Sequence, residues 1–300
     1  MLKKFIVKED YHNTRFDRWF RNNIHLAPQS LIEKLIRKKK IKVNKKKIKT
    51  SYRVKINDIV ELYGIDNLKF GHQTKPTKYR PTENEKEKYD KFIIENNENF
   101  IVINKPAGIP VQAGTKSFKN IIDILKDTKH FDKTKPYIVH RLDKDTSGVM
   151  IIAKNRKYAQ LLTSLFRIRK IHKTYLAIAY GEVNKDINLL QDNLIIYERN
   201  KKLVQKAITY LKILKRNNNF TLVELKPITG RKHQIRKQLY NIGNPIVGDQ
   251  KYSMIRSKKL YKFKNLMLHA HKIKFMINNK KYNFEAKYGN EFETFINKEF

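Results

Sequence analysis

The chain has 300 residues and a formal net charge of +38, with 66 Lys and Arg against 28 Asp and Glu. Such a charge disfavours basic partners and favours polyanions, with nucleic acid as the first choice and an anionic membrane surface as the second. The hydrophobic fraction of 40% is too high for a disordered basic tail, and the lack of cysteine excludes disulfides and thiolate metal sites. No apolar run approaches the roughly 18 residues that a membrane-spanning helix needs.

The N-terminal segment MLKKFIVKEDY contains only a short apolar stretch, unlike a signal peptide. We therefore expect a cytoplasmic protein with no membrane attachment. Because Lys, Asn and Ile are all abundant, the base composition of the genome could explain part of the lysine excess. The position of the charges is for that reason more informative than their total.

Residues 1–66 are predicted to form a small domain of two helices followed by a sheet. Apolar residues recur at helical spacing over 16–20 and again over 31–36, which predicts two short amphipathic helices. Strand-like alternation follows at 41–43 and over 54–62.

The run 34–49, KLIRKKKIKVNKKKIK, contains ten basic residues and no acid. A solvated helix face alone would carry charges of both signs, so an acid-free run between ordered elements favours a phosphate-binding surface. The residues expected to contact RNA here are Arg37, Lys38, Lys39 and Lys40.

This N-terminal region resembles an S4 RNA-binding domain, through TRFDRWF, the basic run and the segment NDIV. The resemblance implies a helix pair that presents a basic face to RNA. S4 domains usually have glycine where this chain has Lys39 and Lys45, and often before Asp58 as well. Because lysine is disfavoured at positive φ, we expect these turns to be built differently.

Residues 67–88 are predicted to be a linker, since apolar periodicity stops there. Thr82 and Glu85 have the spacing of a capping box, which predicts a short helix at its end. Residues 89–300 show strands interspersed with helices and no regular βαβ alternation, which predicts an α+β catalytic domain with a largely antiparallel mixed sheet. The predicted elements are a hairpin over 91–104, strands at 149–153, 175–180, 221–225 and 273–277, and helices at 158–167 and 231–240.

We find no motif for a cofactor or a metal. The segment 108–117 has five residues between its glycines, where a phosphate-binding P-loop has four, and no G-x-G-x-x-G follows a strand. His269 and His271 lack an accompanying carboxylate pattern, so a metal site is not expected there. The sequence predicts chemistry without cofactor or metal.

The segment 139–148, VHRLDKDTSG, places two aspartates in a short polar loop before an apolar strand. One interpretation is a simple Asx or Ser-Gly turn in which Asp143 has no chemical role. The other is a catalytic carboxylate, because the segments 229–236 and 173–175 supply arginines and a tyrosine, and a nearby cation favours the ionised form of a carboxylate. Such a group could act on a sugar–base bond without a metal.

HRLDKDTSG resembles the signature of the RluA-type pseudouridine synthases, which isomerise uridine in RNA to its C-glycoside. NKPAGIPVQAG precedes it, and HKTYLAIAYG, LKPITGRKHQIRKQL, PIVGDQKY and LMLHAH follow in the order of that family. With an S4 domain ahead of them, these motifs are similar to the branch that acts on large-subunit (23S) ribosomal RNA. Gln238 stands where a histidine is commoner, and we expect it to alter a helix contact or an RNA contact.

By this resemblance Asp143 is the catalytic aspartate, and Arg236 pairs with it and holds its orientation. The resemblance also implies that Tyr175 stacks on the uracil and could help to remove the C5 proton late in the reaction. The resemblance leaves open whether Asp143 attacks C1′, attacks C6 or abstracts a ribose proton. It implies RNA as the partner and no cofactor, and we expect a monomer. Two alternatives stay open, namely the same reaction on tRNA and a non-catalytic S4-type RNA-binding or ribosome-assembly factor. The residues expected to contact phosphates or the flipped nucleotide are Arg141, Arg231 and His233.

Overall fold

A computed structural model describes residues 2–25, 27–64, 79–113, 119–131, 134–198, 201–253, 263 and 265–300. The chain divides into two compact units, Met1–Pro76 and Thr77–Phe300. Residues 67–78 of the predicted linker lie outside the described residues, and so do residues 114–117 of the segment considered as a phosphate loop.

The N-terminal unit contains the predicted helix pair and a small sheet. Its central strand pairs antiparallel with two others, and two short strands form a separate pair. The apolar faces of both helices are buried, with Trp19 at the centre of the core. The elements are β1 (Leu2–Ile6), β2 (Thr14–Arg15), α1 (Phe16–Asn23), α2 (Gln29–Arg37), β3 (Ile41–Val43), β4 (Arg53–Val54) and β5 (Ile59–Tyr63).

The turns of this unit keep the left-handed conformation although glycine is replaced, so the expectation of differently built turns is wrong. The φ angles are +58° at Lys39, +62° at Lys45 and +64° at Asn57. Lys39 follows α2 and donates its N–H to the Ile36 carbonyl, and the next N–H bonds to Leu35, which is the Schellman pattern that normally ends on glycine. The lysines therefore adopt a conformation that costs free energy.

The C-terminal unit is built on one ten-stranded sheet. Its strands are ordered β11-β12-β13-β10-β14-β9-β7-β6, with β15 paired to β14 and β8 to β9. Among these pairings only that of β14 with β9 is parallel. The elements are α3 (Glu83–Asp90), β6 (Ile93–Asn96), β7 (Phe100–Lys105), α4 (Ile121–Lys126), β8 (Tyr137–Ile138), β9 (Ser147–Ala153), α5 (Arg156–Arg167), β10 (His172–Tyr180), β11 (Leu189–Glu198), β12 (Lys201–Arg216), β13 (Phe220–Pro227), α6 (Gln234–Asn241), β14 (Leu268–Ile277), β15 (Lys280–Glu285) and α7 (Asn290–Glu299).

This architecture confirms the predicted α+β class and the largely antiparallel sheet. The predicted hairpin is β6–β7, and the four predicted strands lie within β9, β10, β13 and β14. The capping box is also present, because the Thr82 side chain accepts a hydrogen bond from the Glu85 N–H and the Glu85 carboxylate accepts one from the Thr82 N–H. Within the described residues, no helix has the length and apolar character required to cross a membrane.

Two hydrophobic clusters pack on this sheet. One surrounds β7, β9, α4 and α5, and the other surrounds β10, β13, α6 and α7. Tyr175 packs against both clusters. The start of β10 therefore lies where the two cores meet.

Helix α6 begins at Gln234, three residues later than predicted. His233 occupies the left-handed region with φ +54° and ψ +31°, and this conformation cannot continue a right-handed helix.

Candidate active site

Asp143 lies in the loop between β8 and β9. The Thr146 N–H donates to the Asp143 carbonyl at 3.2 Å and closes a tight turn. Leu142 and Thr146 on either side are buried, whereas the Asp143 side chain is 32% exposed. The loop therefore holds its backbone in the core and leaves the carboxylate accessible to a substrate.

A buried lysine anchors this loop. Lys105, the last residue of β7, is fully buried, and burial lowers its pKa to about 7 against the opposing effect of Asp145 and Asp143. Its ammonium group has three N–H donors, which match three backbone carbonyl oxygens. One of these carbonyls belongs to Lys144, the residue after Asp143. The carbonyls that Nζ contacts are Pro106 (2.7 Å), Ile109 (2.9 Å) and Lys144 (3.1 Å).

His140 anchors the other side of the loop. Its Nε2 accepts the N–H of Ile151 in β9 at 2.9 Å, and its ring stacks on Phe166 of α5 with centroids 4.5 Å apart. Burial, with a smaller contribution from Lys173, lowers the pKa of His140 to about 3. The imidazole is therefore neutral, as an Nε2 acceptor requires.

Gly148 brings the loop into the sheet at a point of close approach. Its φ is +114°, and a Cβ at this position would lie 2.2 Å from the carbonyl oxygen of Ala270 in β14. Ala270 pairs with Gly148 on one side and with Tyr175 of β10 on the other. The missing side chain at Gly148 thus lets β9 approach β14 near Tyr175.

Tyr175 is partly buried at this position. Burial raises its pKa, and the nearby charge of Asp143 raises it further. The side chain is therefore a neutral phenol at neutral pH, close to the candidate carboxylate.

Arg236, on α6, is adjacent to Asp143, but its main partner is Asp249. Its Nε and Nη2 donate to the two oxygens of Asp249 at 2.6 and 2.7 Å, whereas Nη1 is 3.9 Å from Asp143 Oδ2. Both side chains of this pair are buried. Burial lowers the pKa of Arg236, but the bond to Asp249 and the charge of Asp143 outweigh that effect and raise it.

His233 lies on the other side of the carboxylate. Its Nε2 is 3.7 Å from Asp143 Oδ1, and its Nδ1 is 3.0 Å from the hydroxyl of Tyr252. The ring of Tyr252 also lies against Arg236, with Cζ 5.3 Å from the ring centroid. Asp143 is thus flanked by His233 and Arg236, and Tyr252 contacts both.

The remaining predicted residues are more distant or already engaged. Arg141 is exposed and forms no hydrogen bond or ion pair with any described residue. Arg231 donates from Nε to the Lys206 carbonyl of β12 at 3.3 Å. In the N-terminal unit Arg37, Lys38 and Lys39 are exposed, and Lys40 is partly buried.

Gln238, the departure from the expected histidine, is fully buried on α6. Its side chain accepts from the Thr209 hydroxyl at 2.6 Å and donates to two backbone carbonyls of the neighbouring strands, at 3.1 and 3.3 Å. Gln238 therefore joins α6 to the neighbouring strands β11 and β12.

The chain matches known proteins over nearly its whole length. The family model described as RNA pseudouridylate synthase matches residues 99–241, and the S4 domain model matches residues 15–60. A Rickettsia bellii (strain RML369-C) protein named ribosomal large subunit pseudouridine synthase C is 37% identical over 294 residues, which are 91% of this chain and 94% of that protein. This chain belongs to the RNA pseudouridylate synthase family.

Further matches agree with this assignment. A protein of the same name from Buchnera aphidicola subsp. Schizaphis graminum is 33% identical and covers 90% of this synthase and 88% of its own length. The solved structure of human RNA pseudouridylate synthase domain containing 4 matches with a TM-score of 0.60 and 26% identity, over 69% of this chain and 92% of that one. These matches confirm both resemblances, and the synthase is an isomerase that acts on RNA.

Three residues of the site were not predicted from the sequence, namely Lys105, Asp249 and Tyr252. All three lie within segments that carry the family resemblance, NKPAGIPVQAG and PIVGDQKY. The available signals were Lys105 at the end of an apolar strand, and Asp249 followed two residues later by Lys251 and three residues later by Tyr252.

Proposed function

We propose that this synthase isomerises specific uridines of large-subunit ribosomal RNA to pseudouridine, with Asp143 as the catalytic residue. The observation that carries the proposal is an accessible carboxylate on an anchored loop, with Nε2 of His233 and Nη1 of Arg236 within 4 Å. The names of the relatives and the S4 domain support ribosomal RNA as the substrate. We further propose that the enzyme acts in the cytoplasm as a monomer, without attachment to a membrane.

The reaction breaks the N1–C1′ bond, turns the uracil and joins C5 to C1′, and the C5 proton is lost while N1 gains one. This isomerisation consumes no co-substrate, so a carboxylate that acts as nucleophile or base is sufficient to start it. Attack on C1′, attack on C6 and abstraction of a ribose proton all require Asp143 to face the nucleotide. Arg236, held by Asp249, supplies a fixed positive charge beside it.

Tyr175 would stack on the uracil in this proposal. Because its pKa is raised by burial and by Asp143, a phenolate that acts as base is disfavoured. Its contribution is therefore the face of the ring. A base in structured RNA must leave its stack to reach such a site, at a cost of roughly a few kcal/mol.

The basic residues offset that cost by binding phosphates. Exposed Arg37, Lys38 and Lys39 form a basic group at the end of α2, and Arg141 is exposed beside the catalytic loop. Arg231, which is already bonded to β12, would contact RNA with its remaining donors. Such contacts make RNA affinity depend strongly on salt.

The test is tritium release from a transcript of large-subunit ribosomal RNA labelled at C5 of uridine. We expect Asp143→Asn to abolish release while RNA affinity stays nearly unchanged, because the amide keeps the shape and loses the nucleophilic charge. Asp145→Asn, an exposed aspartate of the same loop, is the matched control and should retain activity.

Release by Asp143→Asn at the wild-type rate would refute the catalytic role. Release from a labelled tRNA transcript but not from the ribosomal transcript would refute the proposed substrate.

A further inference from the structure

His233 is held in a conformation that a histidine rarely adopts. Its φ of +54° costs free energy relative to the right-handed region, and strained residues of this kind persist where the surroundings fix them. The conformation places the imidazole between Asp143 and Tyr252. Phosphate binding by a solvated loop residue would not require this arrangement.

The two ring nitrogens of His233 face groups of different character. Nε2 faces a carboxylate oxygen of Asp143, 3.7 Å away. When ionised, this carboxylate accepts hydrogen bonds but cannot donate one. Nδ1 faces the Tyr252 hydroxyl at 3.0 Å, which can donate or accept. If the hydroxyl donates to Nδ1, the proton of a neutral imidazole must be on Nε2 and points toward the carboxylate.

Tyr252 is itself fixed. Its N–H donates to Asp249 Oδ1 at 2.9 Å, and its ring packs edge-on against His233 with centroids 5.6 Å apart. The same Asp249 carboxylate holds Arg236. The segment 249–252, which follows α6, thus positions both His233 and Arg236, the two groups that flank Asp143.

Resting on the proposed role of Asp143, we propose that Tyr252 is a positioning residue that sets the tautomer of His233, so that Nε2–H orients the Asp143 carboxylate. His233 is then also a positioning residue rather than a phosphate contact. The separation of 3.7 Å is longer than a hydrogen bond, and the proposal requires it to shorten when substrate binds, as contacts in active sites often do.

Burial, together with the neighbouring cations, favours the neutral form of His233. Burial lowers the pKa of His233, and Arg236, Lys251 and Lys232 lower it further, against the opposing effect of Asp143. A neutral imidazole carries one N–H, so the Tyr252 hydroxyl can determine which ring nitrogen bears the proton. An imidazolium carries an N–H on both nitrogens, so Tyr252 would no longer determine whether Nε2 is a donor.

The experiment is a pair of substitutions in the full-length enzyme, with the single-turnover rate of tritium release as the readout. We expect Tyr252→Phe to lower the rate about tenfold near pH 8, within the range known for contacting pairs, and to leave RNA affinity unchanged. The loss should shrink only as the pH falls below the lowered pKa of His233, where protonation supplies Nε2–H without Tyr252. Tyr210→Phe, which changes an exposed tyrosine on β12, is the matched control.

His233→Gln supplies a second background. The glutamine amide is always a donor, so adding Tyr252→Phe to it should change the rate less than about twofold. An equal loss in both backgrounds, a loss that does not vary with pH, or no loss at all would overturn the tautomer assignment.

Nitrogen-15 NMR of labelled histidine provides a readout that does not depend on activity. We expect the Nε2–H form at His233 in the wild type and a mixture in Tyr252→Phe. An inactive wild type would refute the proposed function, whereas an active enzyme with an Nδ1–H tautomer would refute only this inference.

Discussion

Gly148→Ala tests how the catalytic loop enters the sheet. The new Cβ would lie 2.2 Å from the Ala270 carbonyl oxygen, 2.6 Å from its nitrogen and 2.7 Å from its carbonyl carbon. All three are backbone atoms, so no side chain can rotate to make room. The parallel contact of β9 with β14, which involves only two residue pairs, must open.

The expected cost combines two effects. A non-glycine residue at φ +114° is strained by about 1–3 kcal/mol. Overpacking of a close-packed site costs about 1–3 kcal/mol more. We therefore expect Gly148→Ala to lower the free energy of unfolding of the C-terminal unit by about 4 kcal/mol.

The assay uses urea unfolding followed by two probes. Trp19 is the only tryptophan and lies buried in the N-terminal unit, so its fluorescence reports that unit, whereas far-UV circular dichroism is dominated by the larger one. Only the second transition should move. Gly230→Ala is the control, because a Cβ there meets no atom within 4 Å, and we expect a change within about 0.5 kcal/mol. A wild-type transition for Gly148→Ala would refute the close approach.

Three further predictions concern the turns, acid stability and the buried ion pair. Lys39→Gly and Lys45→Gly should each stabilise the N-terminal unit by about 0.5 kcal/mol in the Trp19 assay, and Lys39→Gly should also reduce the salt slope of RNA binding by about one; a destabilised variant contradicts the left-handed turns. Because the folded state holds neutral His140 with a pKa of about 3, the stability of the C-terminal unit should fall as pH drops from 6.5 toward 3, and His140→Gln should lessen this fall; equal acid titrations of the two proteins would count against it. Asp249→Asn should cost about 3 kcal/mol and slow tritium release, since it leaves Arg236 buried without its anion, and a wild-type unfolding curve would argue against the pair.

Much of the fold was predictable where the burial of an element leaves a clear apolar pattern. Helix α2 shows apolar periodicity from its one buried face, strand β9 is a continuous apolar run buried on both faces, and both were predicted near their observed bounds. Strand β12 was missed because apolar residues stand side by side at 203–204 and 213–214, so the period of two is lost. Val204 and Leu214 are exposed, which shows that one-sided burial does not govern this strand.

The site was predictable only in part, for a similar reason. The motif around Asp143 identified the loop, but the partner of Arg236 depends on contact with Asp249 across a turn, which no periodicity encodes. The role of Lys105 depends on a carbonyl 39 residues away. The left-handed conformation of His233 likewise follows from its surroundings, since nothing in TGRKHQIR distinguishes it from a helix start.

The central claim is that Asp143 of this synthase converts uridines of large-subunit ribosomal RNA. Its most direct test is to map pseudouridine in the RNA of host cells that lack the gene and carry either the wild-type copy or Asp143→Ala. We expect defined sites in the large-subunit RNA to be modified with the wild-type copy and unmodified with the variant at equal protein level. Identical maps from the two copies would contradict the claim.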